Sequence, residues 1–257
     1  MNKGIVVAVV LAVLMAASAY AQTTDFFELV KTGTAQSVQA AIDQGADVNA
    51  PNMSDSFRKT PLMFAASYSK DPEVISTLLK SGADFNAKGT FDMTTLMFAA
   101  ARNPNPAIVS KLLKEGADID ARDSYFGRTA LMHAAQGNEN PDVIDVLLKA
   151  GADIKAKESK GEGTVLTCAA ENNVNTKVLT LLLKAGAEIN AKNKDGWTAL
   201  MVAASKNTNP EVITTLLKAG ADAKVKNNKG YTALDYAKVK ASLEGTNALK
   251  QLEEASK

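Results

Sequence analysis

Cysteine and histidine are nearly absent: 257 residues hold one of each, Cys168 and His133. A single cysteine excludes an internal disulfide. One histidine leaves few candidates for metal binding or acid–base catalysis. Neither sign of charge is in excess, with 29 basic residues against 28 acidic ones. That balance argues against a nucleic-acid binder or a polybasic membrane module. Aromatic residues make up 5% of the chain, and they are not interleaved with a basic stripe as a nucleic-acid-binding surface requires. Long hydrophobic runs are missing after the N-terminus. There, Ile5 through Ala17 form an uncharged apolar stretch of 13 residues, short of the roughly 20 that a membrane-spanning helix needs. Lys3 precedes it, and Ala19 and Ala21 supply small residues where a signal peptidase reads. Residues 1–21 are therefore expected to be a cleaved secretory signal peptide rather than a membrane anchor. No cysteine follows the run, which excludes a lipid-anchored form of the bacterial lipoprotein type. Cleavage after Ala21 removes Lys3 alone and leaves 28 basic and 28 acidic residues.

What is present in quantity is self-similarity. The pattern Thr-x-Leu-x-x-Ala-Ala begins at Thr60, Thr94, Thr129, Thr164 and Thr198, with a partial copy at Thr232; the steps are 34, 35, 35, 34 and 34 residues. A second ladder, Leu-Leu-Lys-x-Gly-Ala-Asp, ends in phase at Asp84, Asp118, Asp153 and Asp222, with Glu188 and a degenerate Asp47 completing it. Each unit reads as two helices and a turn. Leu131, Ala134 and Ala135 lie at helical spacing in the first helix, and Val143, Ile144, Leu147 and Leu148 form one face of the second. Asp71-Pro72, Asn105-Pro106, Asn140-Pro141 and Asn209-Pro210 predict N-caps followed by a first-turn proline. Asn175-Thr176 keeps the cap without the proline. Gly151 and its equivalents predict left-handed helix ends.

Carried by these motifs, the chain resembles the ankyrin-repeat family over about residues 25–240. The resemblance implies an all-α repeat solenoid, a stack of antiparallel helix pairs with β-hairpin-like loops along one edge. It gives an N-cap unit at 25–58, internal repeats at 59–92, 93–127, 128–162, 163–196 and 197–230, and a C-cap unit at 231–257. In the first unit Phe26, Phe27, Leu29 and Val30 predict one helix and Val38, Ala41 and Ile42 a second. The chain departs from the family in carrying Met63, Met97, Met132 and Met201 where histidine is usual, and in a one-residue-longer Asn-x-Asn-Pro turn. Both look like bacterial variants of the repeat.

Catalytic and metal readings are weak. His133 and Cys168 each lie four residues after their repeat's threonine, one repeat apart, which at roughly 8–10 Å between packed helices is too far for a nucleophile–base hydrogen bond. Phe64, Phe98, Val202 and Tyr236 fill the same slot, so it reads as a packing position. The acidic ladder places carboxylates one repeat apart, too far to share an ion, and predicts turn-forming residues instead. Lys160-Gly161-Glu162-Gly163-Thr164 lacks the ending of a phosphate loop and reads as a repeat junction. No catalytic residue, cofactor or metal ligand is expected.

Recognition surfaces read more strongly. Phe57, Phe91 and Phe126 stand three residues before their repeat threonines, with Tyr125 beside the last, and predict an apolar strip along the loop edge. Trp197 and Tyr231 lie closer to the helix and are expected to pack. The loop from Pro51 to Lys59 is longer than its equivalents. A second variable surface follows each Ala-Ala pair and includes Tyr68, Arg102, Gln136, Asn172 and Lys206. The expectation is an exported, monomeric, non-enzymatic scaffold. It would bind a protein partner through its concave face and loop edge, with no nucleic acid and no membrane contact after signal cleavage. The alternatives are a secreted effector acting on a host protein, a self-associating scaffold, and an enzyme or small-molecule binder using His133 or Cys168.

Overall fold

The computed structural model describes residues 26–257; the expected signal peptide lies outside the described residues. Helices follow one another in antiparallel pairs. The first pair is α1 (26–32) and α2 (Ala35–Asp43). Next come α3 (Pro61–Tyr68) with α4 (Pro72–Lys80), α5 (Thr95–Arg102) with α6 (Pro106–Lys114), and α7 (Ala130–Gly137) with α8 (Pro141–Lys149). The stack continues with α9 (Val165–Asn172) and α10 (Thr176–Lys184), then α11 (Ala199–Lys206) and α12 (Glu211–Lys218). It closes with α13 (Ala233–Lys238) and α14 (Asn247–Ala255). Inner helices α3, α5, α7, α9, α11 and α13 pack on one another in sequence, and the outer helices form a parallel second row. Sheet-like pairing among the described residues is confined to one antiparallel bridge, Lys157 to Thr164.

Local chemistry fixes both ends of each helix. The repeat threonines Thr60, Thr94, Thr129, Thr164, Thr198 and Thr232 accept a hydrogen bond from the backbone N–H of the third residue of their inner helices, filling donors that a helix start leaves unpaired. Asp71, Asn105, Asn140 and Asn175 cap the outer helices as the sequence predicts, and Asn209 accepts from Glu211 N in the same way. Gly82, Gly116, Gly151, Gly186 and Gly220 end those helices with φ between 88° and 96°, the left-handed geometry that glycine adopts without steric cost.

The core lies between repeats. Leu62, Leu96, Leu131, Leu166 and Leu200 are buried, as are the Ala-Ala pairs, whose small side chains let successive inner helices approach closely. Met63, Met97, Met132 and Met201 are buried with them. These departures from the family therefore alter the packing between repeats and not the inner surface.

The longer inter-helix turn has a second role. Asn103, Asn138, Asn173 and Asn207 are 1–4% exposed, and each ties its repeat to the one before. Asn138 Nδ2 donates to Ala100 O at 3.0 Å and Asn103 O at 2.8 Å, while its Oδ1 accepts from Asn140 N at 3.0 Å. The same set recurs for Asn103 on Ala66 and Ser69, for Asn173 on Ala135 and Asn138, and for Asn207 on Ala170 and Asn173. Substituting Asn138 by alanine should lower unfolding free energy by about 1–3 kcal/mol, the cost of leaving buried polar groups unpaired. Urea denaturation checks this; a loss no larger than that of an exposed-site alanine control would show the ladder to be energetically idle.

Candidate functional site

The loops between helix pairs are joined by a backbone ladder. Thr90 N donates to Phe57 O at 2.9 Å, Ser124 N to Phe91 O at 2.8 Å, and Ser159 N to Phe126 O at 2.9 Å. The three phenylalanines thus occupy equivalent positions, as their spacing predicts. The residue two before each repeat threonine has positive φ in every loop: Arg58, Asp92, Gly127, Glu162, Gly196 and Gly230. Gly127 has a further reason to be glycine, because a Cβ there would come 2.1 Å from Ser159 Oγ. Phe91 is also left-handed, at φ 63°, a sterically costly conformation for a bulky side chain.

Between these loops and the inner helices α3, α5 and α7 lies a groove of about 660 Å³. Met93 and Phe98 are buried at its floor, with Tyr68 half-buried beside them. Phe91, Tyr125 and Phe126 form its rim and are 46%, 51% and 38% exposed. Tyr125 bridges them, its ring 4.8 Å from Phe91 and 4.3 Å from Phe126. Arg102 and Gln136 also line the groove.

Seven of the nine residues expected to form a binding surface therefore line one groove, although they come from two different parts of the repeat. The other two lie further along the stack: Asn172 is exposed, and Lys206 pairs with Glu171 at 2.6 Å. Phe57 lines the groove but does not join the exposed strip. Its longer loop folds back, through Asn52 N to Lys59 O and Arg58 N to Asp55 O, so that the half-buried ring meets Phe98 edge-on at 5.9 Å. Gln136 is not free, because it bonds Arg128 and Glu171. Trp197 packs as expected, 4.3 Å from Tyr236. Tyr231 does not: it is 51% exposed, with its ring edge-on to Tyr236 at 5.9 Å.

Two polar clusters flank the groove. On one side Lys59, 3% exposed, pairs with Asp55 at 2.6 Å and sits 5.4–5.6 Å from the rings of Phe57, Phe64, Tyr68 and Phe98. Cation–π attraction to these rings adds to the carboxylate pairing in compensating burial of the ammonium. On the other side Arg128 bonds Glu158 and Gln136, lies 3.6 Å from Glu171, and stacks on Phe126.

The loop-base position supplies a contact that sequence reasoning missed. Asp123, 5% exposed, accepts backbone N–H bonds from Tyr125, Phe126, Gly127 and Arg128, and its Oδ2 lies 2.8 Å from His133 Nε2. Burial alone would raise its pKa. The hydrogen bond and charge of His133, together with the backbone donors, outweigh burial and hold Asp123 well below the usual carboxylate range. His133 is thus a polar staple facing the groove rather than the packing residue its slot suggests. The same pairing of loop base and helix slot recurs as Glu158 with Cys168 and Asn227 with Tyr236; the signal available in the sequence was the matched polar character at these two positions. Cys168 is buried, and burial pushes its thiol far above the normal range despite nearby Arg128, which disfavours the thiolate that nucleophilic chemistry needs. In the acidic ladder, Asp47, Asp84, Asp118, Asp153 and Asp222 each accept the backbone N–H two residues on, the turn role their positions predict. Among the described residues no group of three or more His, Cys, Asp or Glu is placed to hold a metal ion. No helix among them is long and apolar enough to cross a membrane.

A family model described as ankyrin repeats matches three times, at residues 65–158, 96–193 and 166–255. A fowlpox virus protein described as a putative ankyrin repeat protein is 47% identical over 51 residues, covering 20% of this chain and 9% of its own length. The chain thus spans under a tenth of that relative. Among solved structures, the ankyrin repeat domain of Bcl-3, a member of the IκB protein family, superposes with a TM-score of 0.61 at 26% identity, covering 89% of this chain and 97% of that one.

The depressed pKa of Asp123 gives a pH signature. Its folded pKa lies below the unfolded value of about 3.9, so its stabilisation is complete above roughly pH 5 and is lost as pH falls through the folded value. Asp123→Asn keeps the backbone acceptor, as Asn193 and Asn227 do in their own loops, but not the charge. Wild type should exceed this variant in urea-unfolding free energy at about pH 6, and the gap should narrow below about pH 4. A gap independent of pH would contradict the assignment.

Proposed function

Because the chain belongs to the ankyrin-repeat family, we propose that it is an exported scaffold that binds a protein partner through its concave face and loop edge. The observation that carries this reading is the groove: residues chosen from the loops and from the inner helices converge on one concavity with three exposed rings at its rim. Ankyrin-repeat folds serve generally as protein–protein interaction scaffolds. Aromatic anchors beside a pocket are the usual carriers of interface energy. Fixed caps, the asparagine ladder and the loop ladder hold these rings before a partner arrives, which limits the ordering cost of binding.

Export rests on the sequence of residues 1–21. Its destination is the periplasm or the medium, and release to act on a host protein uses the same surface. An enzymatic role has less support, since Cys168 is a buried thiol bonded to Glu158 and His133 is committed to Asp123.

The test is affinity capture of partners by tagged protein spanning residues 22–257 from the producing cell's exported fraction, in parallel with Phe91→Ser/Tyr125→Ser/Phe126→Ser. These rings are exposed, so the variant should fold. Capture of one protein, weakened at least about tenfold in the variant, is the expected result. Equal capture by both would remove the rim from the interface. N-terminal sequencing of the natural product should begin at Gln22; a chain retaining Met1 in the cytoplasm would overturn export.

A further inference from the structure

We propose that the groove receives a partner segment in which a bulky apolar side chain stands beside a carboxylate. This rests on the scaffold reading above and adds the chemistry of the partner.

The apolar half follows from the floor and rim. Phe98 and Met93 are buried beneath the opening, and Phe91 and Tyr125 stand above it in contact with one another. An inserted side chain would be enclosed by aromatic and thioether surface on both sides, the setting in which an apolar anchor is most completely desolvated. The rim does not depend on a loosely held ring. Phe91 and Asp92 are consecutive left-handed residues, with φ of 63° and 56°, and the Phe91 carbonyl is pinned by Ser124 N. Strained backbone of this kind persists only where surrounding contacts determine it.

The charged half follows from which groups are already paired. The carboxylate that lines the groove and those that pair with its lining residues have internal partners: Asp123 has His133 and four backbone donors, Glu158 has Arg128, and Glu171 has Lys206, Gln136 and Arg128. Arg102 is different. It lines the groove, is exposed, and has no hydrogen bond, ion pair or ring contact among the described residues. The hydroxyls of Tyr68 and Tyr125 likewise have no hydrogen-bond partner there. Among the side chains lining the groove, the Arg102 guanidinium and these two phenols are thus polar groups with no hydrogen-bond partner at all, a donor set that matches an anion. A single uncommitted guanidinium suits a carboxylate; phosphate recognition characteristically draws on a cluster of arginines.

The experiment is selection of phage-displayed random peptides on the purified full chain, on Arg102→Glu, and on Phe91→Ser/Tyr125→Ser. The Arg102 side chain makes no hydrogen bond, ion pair or ring contact among the described residues, so its variant should fold, with only the small loss in thermal midpoint expected of an acid in the last turn of a helix. Wild type should enrich peptides with Phe, Trp or Leu next to Asp or Glu. Arg102→Glu should exchange the acidic residue for Lys or Arg, and the double serine variant should enrich neither. In a selected synthetic peptide, Glu→Gln should weaken binding to wild type by about three- to tenfold and leave binding to Arg102→Glu unweakened. The same peptides on wild type and Arg102→Glu, enrichment surviving the double serine change, or no enrichment at all would each overturn the proposal. A captured partner insensitive to these changes would leave the scaffold reading standing and remove this one. Failure to capture any partner from the exported fraction, or from a host-cell lysate, would count against the scaffold reading itself.

Discussion

The stack depends on a polar constraint as much as on its core. An inner helix of eight residues leaves its last carbonyls without intrahelical donors, and stacking places those carbonyls where water is excluded. One buried asparagine per junction answers this. Its two amide hydrogens serve the carbonyl of the second alanine and that of the turn residue in the preceding repeat, and its oxygen takes the N–H that begins its own outer helix. Because the donor and its acceptors belong to adjacent repeats, a unit alone cannot satisfy its own turn, and the hydrogen bonds couple neighbours alongside apolar burial. The ends of the ladder are handled differently. Ser69 holds the first position and closes only its own turn, accepting from Asp71 N at 3.2 Å. After the last asparagine, Lys240 reaches back to Asn207 O at 2.5 Å with a cation whose stem remains near solvent.

A rigid junction fixes the loop edge, and the loop edge fixes the groove. Each loop passes one backbone hydrogen bond to the next at the residue three before the threonine, so that residue's carbonyl direction is set by the stack and its side chain must follow. The positive φ two residues before the threonine is likewise imposed on Arg58, Asp92 and Glu162 as well as on the glycines. Position, not residue preference, decides the backbone here; residue choice decides what is displayed from it.

This division explains what the sequence made legible. Caps, helix stops and repeat period are local chemistry, and Thr129, Asn140 and Gly151 announce them within a few residues. The first asparagine of each turn was harder to read. Its role is defined by carbonyls 34 to 38 residues earlier, and its recurrence at Asn103, Asn138, Asn173 and Asn207 marks only that something periodic is required. Phe57 illustrates a different limit. Its spacing matches Phe91 and Phe126, yet extra residues between Pro51 and Lys59, and the buried Asp55–Lys59 pair they create, turn the ring inward. His133 and Asp123 were both visible, but their meeting depends on how a loop folds back over its own helix. The two candidate surfaces, loop edge and inner helix, were read separately because only the stack brings them around one groove.

Later repeats show what folding alone asks of the rim position. The residue three before the threonine is Gly161, Asp195 and Lys229 in the units that follow. Gly161 and Asp195 pass the same backbone hydrogen bond to the next loop, at 3.1 Å in each case. A polar or absent side chain therefore meets every requirement the ladder imposes. Phe91 and Phe126 meet it too, but leave large apolar surface in water, and Phe91 does so from a left-handed backbone that disfavours it. Neither the core nor the ladder gains from that arrangement. Three of the four exposed rings, Phe91, Tyr125 and Phe126, cluster where Arg102 also stands unpaired, with Tyr231 apart in the last unit, while on the far side of the groove Lys206, Glu171, Gln136 and Arg128 bind one another. The fold thus tolerates an unfavourable surface at one place and closes the neighbouring surface with internal pairs, a distribution that folding alone does not demand and that is consistent with the proposed binding site.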